Sequence, residues 1–442
     1  MTLKRSNNET ITARDCSPIE GISPGSEEER WLRELCRLGN APDLTLKFGS
    51  NKRDEVEPIA TFDPMSGQWV AGRYIGELDY KGRTLLIEPR FGMPVLRKWL
   101  AQIWGIKILP TKGEQAGTRV WLWLLLAFLW STRLSRSARH GLPCVRVSEI
   151  SRNRLLRGRL RARDTGFEVG RGTGHLVGDC RERRIDPSIA GVIIAAHDVL
   201  ELHLRDYGAR VSWLSTRSRE LVKGMSAAVS KRQLNRARIK DDKIRFTPMT
   251  QLYKPVVELS MSILHHRPFG GVKKGEKEVH GVLLDIAEVW EYYVYRLLRD
   301  SFPNMEVLHL GRDSTFEEHL LKSEVSNRPL SRLYPDICVH RVGASSFDYI
   351  IDAKYKAALC AEGYRNYPQR EDLYQVTSYL AALGKEDGST IGLLAYPIPG
   401  ESEQHRGLQS GNPWSFSSSK IGQIQLLGIP VEQDVNLKDL IH

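Results

Sequence analysis

Ile350-Ile351-Asp352-Ala353-Lys354, preceded at a short distance by Tyr334-Pro335-Asp336, decides how this chain reads. Each stretch is an apolar segment that carries charge at one end. Strand side chains alternate between faces, so Asp352 and Lys354 share one face while Ile351, Ala353 and Tyr355 pack the other. Asp336, on an adjacent strand, reaches the same point. An isolated Asp-x-Lys is common by chance and is usually surface charge. Here both aspartates have apolar neighbours, and a charge in a buried strand needs a partner or a cation. Aspartates hold hard divalent cations through oxygen. A lysine beside them can orient a water or stabilise developing negative charge. Two carboxylates and one lysine are the minimal set for metal-assisted phosphodiester hydrolysis.

The residues around this pair supply two more candidates. Ala287, Glu291, Val294 and Leu298 recur at helical spacing and form one face of a helix read over Val282 to Leu298. Glu291 lies on that stripe and Glu288 to its side, so Glu291 is the preferred cation ligand; a salt bridge is the other reason for an acid there. A second helix, Arg370 to Leu383, places Gln375 and Tyr379 four residues apart on one face, with Leu373, Val376 and Leu380 towards the core. Gln375 could hold a nucleophilic water or a DNA phosphate. Strands are read at 306–310, 334–340, 347–356, 390–396 and 421–431, with a Gly/Ser-rich loop at 400–419. The order predicts an α/β domain over 276–442, a mixed sheet flanked by helices.

Further out, the chain is 442 residues long with a net charge of +11, 41% hydrophobic and 26% charged, the profile of an ordinary globular protein of several domains. Residues 1–27 are polar and read as a flexible lead. Residues 28–118 read as a β-rich domain, with Gln68 to Tyr80 turning at Lys81-Gly82 into Arg83 to Glu88. Residues 119–275 read as a helical, arginine-rich middle region, with helices at Val120–Leu134 and Ile189–Leu204, an irregular basic stretch from Val145 to Leu160, and a glycine loop from Gly166 to Gly174. A domain boundary is read around Pro268 to Lys277. The excess charge is concentrated: residues 131–190 hold fourteen arginines, no lysine and six acids, a net +8. Such a run suggests a polyanion or an acidic protein surface as partner. The longest apolar run, Val120 to Trp130, is too short to cross a bilayer, which takes roughly 20 residues. With no apolar segment at the N-terminus, a cytoplasmic protein without membrane association is expected. The six cysteines form no CxxC, so neither zinc nor a disulfide framework is expected. The glycines of Gly170 to Gly174 lack a following Lys-Ser/Thr, and no GxxxxGK[ST] occurs, so nucleotide hydrolysis is not expected of this chain.

The ordered set of a helix glutamate, Pro-Asp, Asp-x-Lys and Gln-x-x-x-Tyr resembles the PD-(D/E)xK nuclease superfamily and its RecB-like branch. Leu283-Leu-Asp-Ile-Ala-Glu-Val-Trp-Glu-Tyr-Tyr-Val294, Asp352-Ala-Lys-Tyr-Lys356 and Asp372-Leu-Tyr-Gln-Val376 are similar to the McrC family, the nuclease subunits of McrBC-type modification-dependent restriction systems. So are Tyr74-Ile-Gly-Glu-Leu78, Leu86-Ile-Glu-Pro-Arg90 and Leu156-Arg-Gly-Arg-Leu160. The resemblance implies that Glu291, Asp336 and Asp352 bind Mg²⁺, with Mn²⁺ as a substitute, and that Lys354 assists the attacking water. It implies Asp336, Asp352, Lys354 and Gln375 as catalytic residues. Tyr379, Arg157 and Arg159 are the candidate DNA contacts. It also implies that the N-terminal half docks onto and stimulates a McrB-like AAA+ GTPase hexamer, and that the substrate is double-stranded, methylated DNA. Two other readings stay open: a stand-alone RecB-like repair nuclease, and a non-catalytic adaptor that activates a AAA+ motor.

Overall fold

The computed structural model describes residues 10–39, 45–46, 57–104, 118–206, 213–229, 244–265, 279–310, 316–344, 346–356, 368–400, 412–417 and 421–441. The boundary read around 268–277 and most of the loop read at 400–419 lie outside them. The chain forms two compact units, one of residues 1–109 with 272–442 and one of 110–271. The first unit therefore contains residues 28–109 of the segment read as β-rich together with the whole segment read as the α/β domain.

In the first unit, a five-stranded sheet runs in the order Thr10–Arg14, Arg83–Glu88, Tyr74–Tyr80, His280–Asp285, Thr45–Leu46. The hairpin turns at Lys81 and Gly82, both at positive φ (48° and 78°), as a two-residue primed turn requires. Two expectations are corrected here. Residues 10–14, read as part of a flexible lead, form a strand parallel to Arg83–Glu88, because Thr-Ile-Thr carries β-branched residues and Ala13 is buried. The helix read from Val282 begins later. His280–Asp285 is a strand antiparallel to Tyr74–Tyr80. Asp285 then caps the helix Ile286–Ser301, its carboxylate accepting from Ala287 N at 3.0 Å. The helix Glu27–Gly39 starts at Ser26, whose Oγ accepts from Glu29 N at 3.1 Å, and has three glutamates in its first turn. Its Trp31, Leu32 and Leu35 pack with Leu78, Tyr80, Leu85 and Ile87 of the sheet.

The second sheet of this unit carries the candidate site. Its six strands run Met305–His309, Ile337–Arg341, Tyr349–Ala353, Ile391–Ile398, Gln423–Pro430, Trp414–Ser415. The middle three are parallel and the flanking pairs antiparallel, giving a mixed sheet. The helix Arg370–Leu383 lies on it through Val376 and Leu380. A Cβ at Gly392 would stand 2.8 Å from Val376 Cγ2, so the absence of a side chain permits the close approach. The helix Ile286–Ser301 is anchored by Trp290, whose indole N–H donates to Ala395 O at 3.2 Å. Trp99 of the helix Gly92–Trp104 stacks on Tyr293 at 5.3 Å and tilts against Trp290 at 5.1 Å.

The second unit holds the helices Thr118–Ser137, Pro187–Asp206, Thr216–Ala228 and Lys254–His265. The span Pro187–Arg205 is long and apolar enough to cross a membrane by length and composition, but 67% of it is buried inside the protein. Beside the helices is a three-stranded sheet that replaces the irregular stretch read at 145–160. Cys144–Asn153 pairs along its whole length with Leu176–Ile185, and Arg159–Leu160 adds a short third strand. No residue of Cys144–Asn153 is fully buried, so the apolar alternation that marks a half-buried strand is missing. Ala162–Gly170 is a helix, so the first part of the loop read from Gly166 to Gly174 is helical.

Candidate active site

The strands Ile337–Arg341 and Tyr349–Ala353 pair in antiparallel register, with Ile337 opposite Ile351. Continued by one residue, that register sets Asp336 opposite Asp352 on the same face at the end of the ladder. Asp336 is 3% exposed and Asp352 1%. The Ala353 N–H donates to Asp336 Oδ2 at 2.8 Å, which fixes the carboxylate against the neighbouring strand. Lys354 N–H donates to Ala395 O at 2.9 Å, so the chain stays extended past the strand end and turns the lysine to the aspartate face. Its ammonium lies 2.8 Å from Asp352 Oδ2. Burial alone would push that ammonium towards the neutral form. The charges of Asp352 and Asp336, the bond to Asp352 and the charge of Asp372 outweigh it and raise the pKa above the usual lysine value.

The helix Arg370–Leu383 completes the arrangement. Lys354 Nζ donates to Gln375 Oε1 at 2.8 Å, Gln375 Nε2 donates to Tyr379 Oη at 2.7 Å, and Tyr379 O–H donates to the Tyr334 carbonyl at 3.0 Å. This chain of bonds runs from the lysine back to the Tyr334-Pro335-Asp336 stretch. The structure thus brings Asp336, Asp352, Lys354, Gln375 and Tyr379 together. Tyr379, expected at the DNA, is 4% exposed, and its hydroxyl is committed to holding Gln375. Its ring packs in the sheet–helix core.

Glu291 is placed differently. It is buried on the helix Ile286–Ser301, and its carboxylate stands 3.3 Å from His309 Nε2. His309 stacks on Tyr292 at 4.6 Å and meets Tyr295 edge-on at 5.2 Å. It lies opposite Ile337, and Leu310 N donates to Asp336 O at 3.1 Å. Glu291 and His309 are therefore at the Asp336 end of the sheet. Among the described residues, no three His, Cys, Asp or Glu side chains converge as a ready cation cage. Arg157 and Arg159 are exposed and belong to the other unit. Between them, Gly158 has φ +78°, and a Cβ there would fall 2.0 Å from Asp179 O, so the Leu156 to Leu160 motif has a structural reason for its glycine.

Two site residues escaped the sequence reading. Asp372, 2% exposed, lies 2.8 Å from Lys356 Nζ and 3.9 Å from Lys354 Nζ through one oxygen. Its other oxygen accepts from the Tyr396 hydroxyl at 3.0 Å. His309 is the second. The signal for Asp372 was an acid three residues before Gln375 at a helix start, where capping is the ordinary explanation. Behind the strand, Tyr355 packs on the opposite face as expected. The Arg90 guanidinium lies 4.4 Å over its ring, and fully buried Asp15 accepts from Arg90 N at 2.5 Å. Arg90 belongs to the Leu86-Ile-Glu-Pro-Arg90 stretch, so that motif sits directly behind the candidate site.

The family model for the McrBC 5-methylcytosine restriction system component matches residues 70–397. No curated protein matches the chain. Among solved structures, the half-complex of a tetradecameric assembly of Thermococcus gammatolerans McrB AAA+ hexamers with bound McrC is similar at 16% identity and a TM-score of 0.49, over 98% of this chain and 100% of that one. The cryo-EM structure of the Thermococcus gammatolerans McrBC complex is similar at 15% identity and a TM-score of 0.33, over 66% of this chain and 88% of that one. By the span of the family match, which includes every candidate residue from Tyr74 to Tyr396, this chain belongs to the family of McrBC 5-methylcytosine restriction system components.

Proposed function

We propose that the chain is the DNA-cutting subunit of a McrBC-type restriction system, a Mg²⁺-dependent endodeoxyribonuclease with a PD-(D/E)xK domain. The observation that carries this reading is the convergence of Asp336, Asp352, Lys354 and Gln375 at the end of one mixed sheet, in a chain of a restriction family. Asp336 and Asp352 would hold the cation. Magnesium is commonly bound through one or two carboxylates, with water and substrate phosphate filling the remaining positions, and the two facing aspartates fit that habit. Glu291, held by His309 at the same sheet end, is the third candidate ligand. When bound, the cation supplies Lewis-acid polarisation of the phosphodiester and a water of lowered pKa; manganese would serve in its place.

The chain's own residues do the rest. Lys354, kept charged by the surrounding carboxylates, places positive charge where the phosphodiester gains negative charge in the transition state. Gln375 fixes the direction of that ammonium, and Tyr379 fixes Gln375. Both are preorganised by a hydrogen-bond chain that ends on main-chain oxygen.

Cutting is proposed to depend on a McrB-type AAA+ GTPase hexamer that this chain binds and stimulates, with double-stranded methylated DNA as substrate and a cytoplasmic site of action. The arginine-rich sheet of the second unit, with Arg157 and Arg159, is the proposed contact for DNA or for that motor. The test is cleavage of methylated duplex DNA by the full chain with Mg²⁺, with and without the AAA+ partner. Cutting only with the partner supports the reading. Robust cutting by the chain alone favours a stand-alone nuclease. Cutting that survives Asp352→Ala or Lys354→Ala removes the catalytic assignment.

A further inference from the structure

We propose that Lys356 is a second phosphate contact of this site and that Asp372 is the positioning residue that presents it. The proposal rests on the DNA-cutting reading above. Past the strand end at Ala353, Lys354 and Lys356 both reach the Asp372 carboxylate, while Tyr355 between them is buried. One Asp372 oxygen stands 2.8 Å from Lys356 Nζ and 3.9 Å from Lys354 Nζ. That carboxylate is itself locked, 3% exposed, with Tyr396 donating to its second oxygen and its backbone at the start of the helix Arg370–Leu383.

The two ammonium groups differ in what they have left to give. Each has three N–H donors. Lys354 is directed to Asp352 and Gln375, both at 2.8 Å, with Asp372 nearby. Lys356 is directed to Asp372 and to Gln369 Oε1 at 2.6 Å, and its third donor meets no acceptor among the described residues. Its side chain is also the more exposed, 32% against 19% for Lys354. Lys356 is therefore a cation held in place with a donor to spare, joined through the Asp372 carboxylate to Lys354 and so to Asp352. Neutralising Asp372 does not by itself explain it, since Lys354 and the Tyr396 hydroxyl already face that carboxylate. Lysine serves phosphate as a point charge.

The test reads binding and not cutting. The full chain is titrated onto a short linear duplex with Ca²⁺ in place of Mg²⁺, at salt from 50 to 200 mM, for wild type, K356Q, K356R and D372N. One lost phosphate contact predicts that K356Q binds about three- to tenfold more weakly, with a salt slope shallower by about one. K356R should keep both. D372N should bind more weakly than wild type although it removes a negative charge. The proposal is overturned if K356Q binds with wild-type affinity and slope, or if D372N binds more tightly, as loss of a repulsive charge alone would give. Lys356 is partly exposed, so K356Q decides the matter even where D372N fails to fold. The outcomes also separate from those of the cutting reading. If Asp352→Ala still cuts while K356Q loses its slope increment, the cleavage assignment falls and the phosphate contact stands.

Discussion

Replacing Lys354 by methionine tests the electrostatics of the site without touching its shape. The ammonium stands 2.8 Å from Asp352 and 3.9 Å from Asp372, with its side chain 19% exposed. At an effective dielectric near 20, a unit pair about 4 Å apart is worth about 4 kcal/mol before desolvation. Desolvation removes most of that as net stability, but deleting one partner leaves the other charges buried and uncompensated, at a cost of about 3–5 kcal/mol. Lys354→Met is therefore expected to lower stability by about 3 kcal/mol in cation-free buffer, seen as a Tm lowered by roughly 5 °C. Mg²⁺ should restore more of that loss in the variant than it adds to the wild type, because the aspartates have lost their internal counter-ion. Ligand at a hundredfold its Kd contributes about 2.7 kcal/mol. Cleavage with the AAA+ partner should fall at least about 100-fold, the scale for losing one transition-state charge contact. Calorimetry with and without Mg²⁺ reads the first two outcomes. A variant within 1 kcal/mol of wild type, or an equal Mg²⁺ shift in both proteins, would refute the reasoning.

Tyr379→Phe removes the hydroxyl that links Gln375 to Tyr334. It should slow cleavage by roughly five- to thirtyfold, about 1–2 kcal/mol, with little change in DNA affinity; a matching loss of affinity would return Tyr379 to the substrate surface. Asp15→Asn probes the buried carboxyl behind Tyr355. Burial raises its pKa despite the Arg90 amide, the Tyr355 hydroxyl and the Arg90 charge. A carboxyl whose folded pKa is raised contributes its stability below the ordinary value of 3.8 and loses it as pH rises through the folded value. The Tm of wild type relative to Asp15→Asn should then fall as pH rises above 3.8, and a relative Tm that rises over that range would contradict the assignment. Gly158→Ala should destabilise the second unit by more than about 1 kcal/mol, from positive φ and a Cβ 2.0 Å from Asp179 O. A neutral result would mean that the Leu156 to Leu160 motif owes its glycine to something other than backbone geometry.

Much of the site was legible because its residues obey short-range periodicities. Asp352 and Lys354 share a face through strand alternation, and Gln375 and Tyr379 through the helical repeat; both rules survive folding unchanged. The helix Arg370–Leu383 begins and ends where its pattern does. What stayed hidden depended on distant contacts. The parallel pairing of Thr10–Arg14 with Arg83–Glu88 spans some seventy residues of sequence, and His280–Asp285 pairs with Tyr74–Tyr80 across about two hundred. Helix propensity after Asp285 masked that strand, because Val-Leu-Leu fits either state. The Cys144–Asn153 strand escaped because its neighbours leave it exposed, so no apolar face marks it. Asp372 and His309 could not be told from a capping acid and a core histidine until Lys356 and Glu291 were found beside them.

The central claim is that Asp336, Asp352 and Lys354 form the phosphodiester-cutting centre. The direct measurement is cleavage of methylated duplex DNA by the full chain with the proposed AAA+ partner, GTP and Mg²⁺, comparing wild type with Asp352→Asn. Loss of cutting by at least about 100-fold, with DNA binding and stimulation of the partner's GTP hydrolysis retained, is the predicted result. Cutting by Asp352→Asn at the wild-type rate would contradict it.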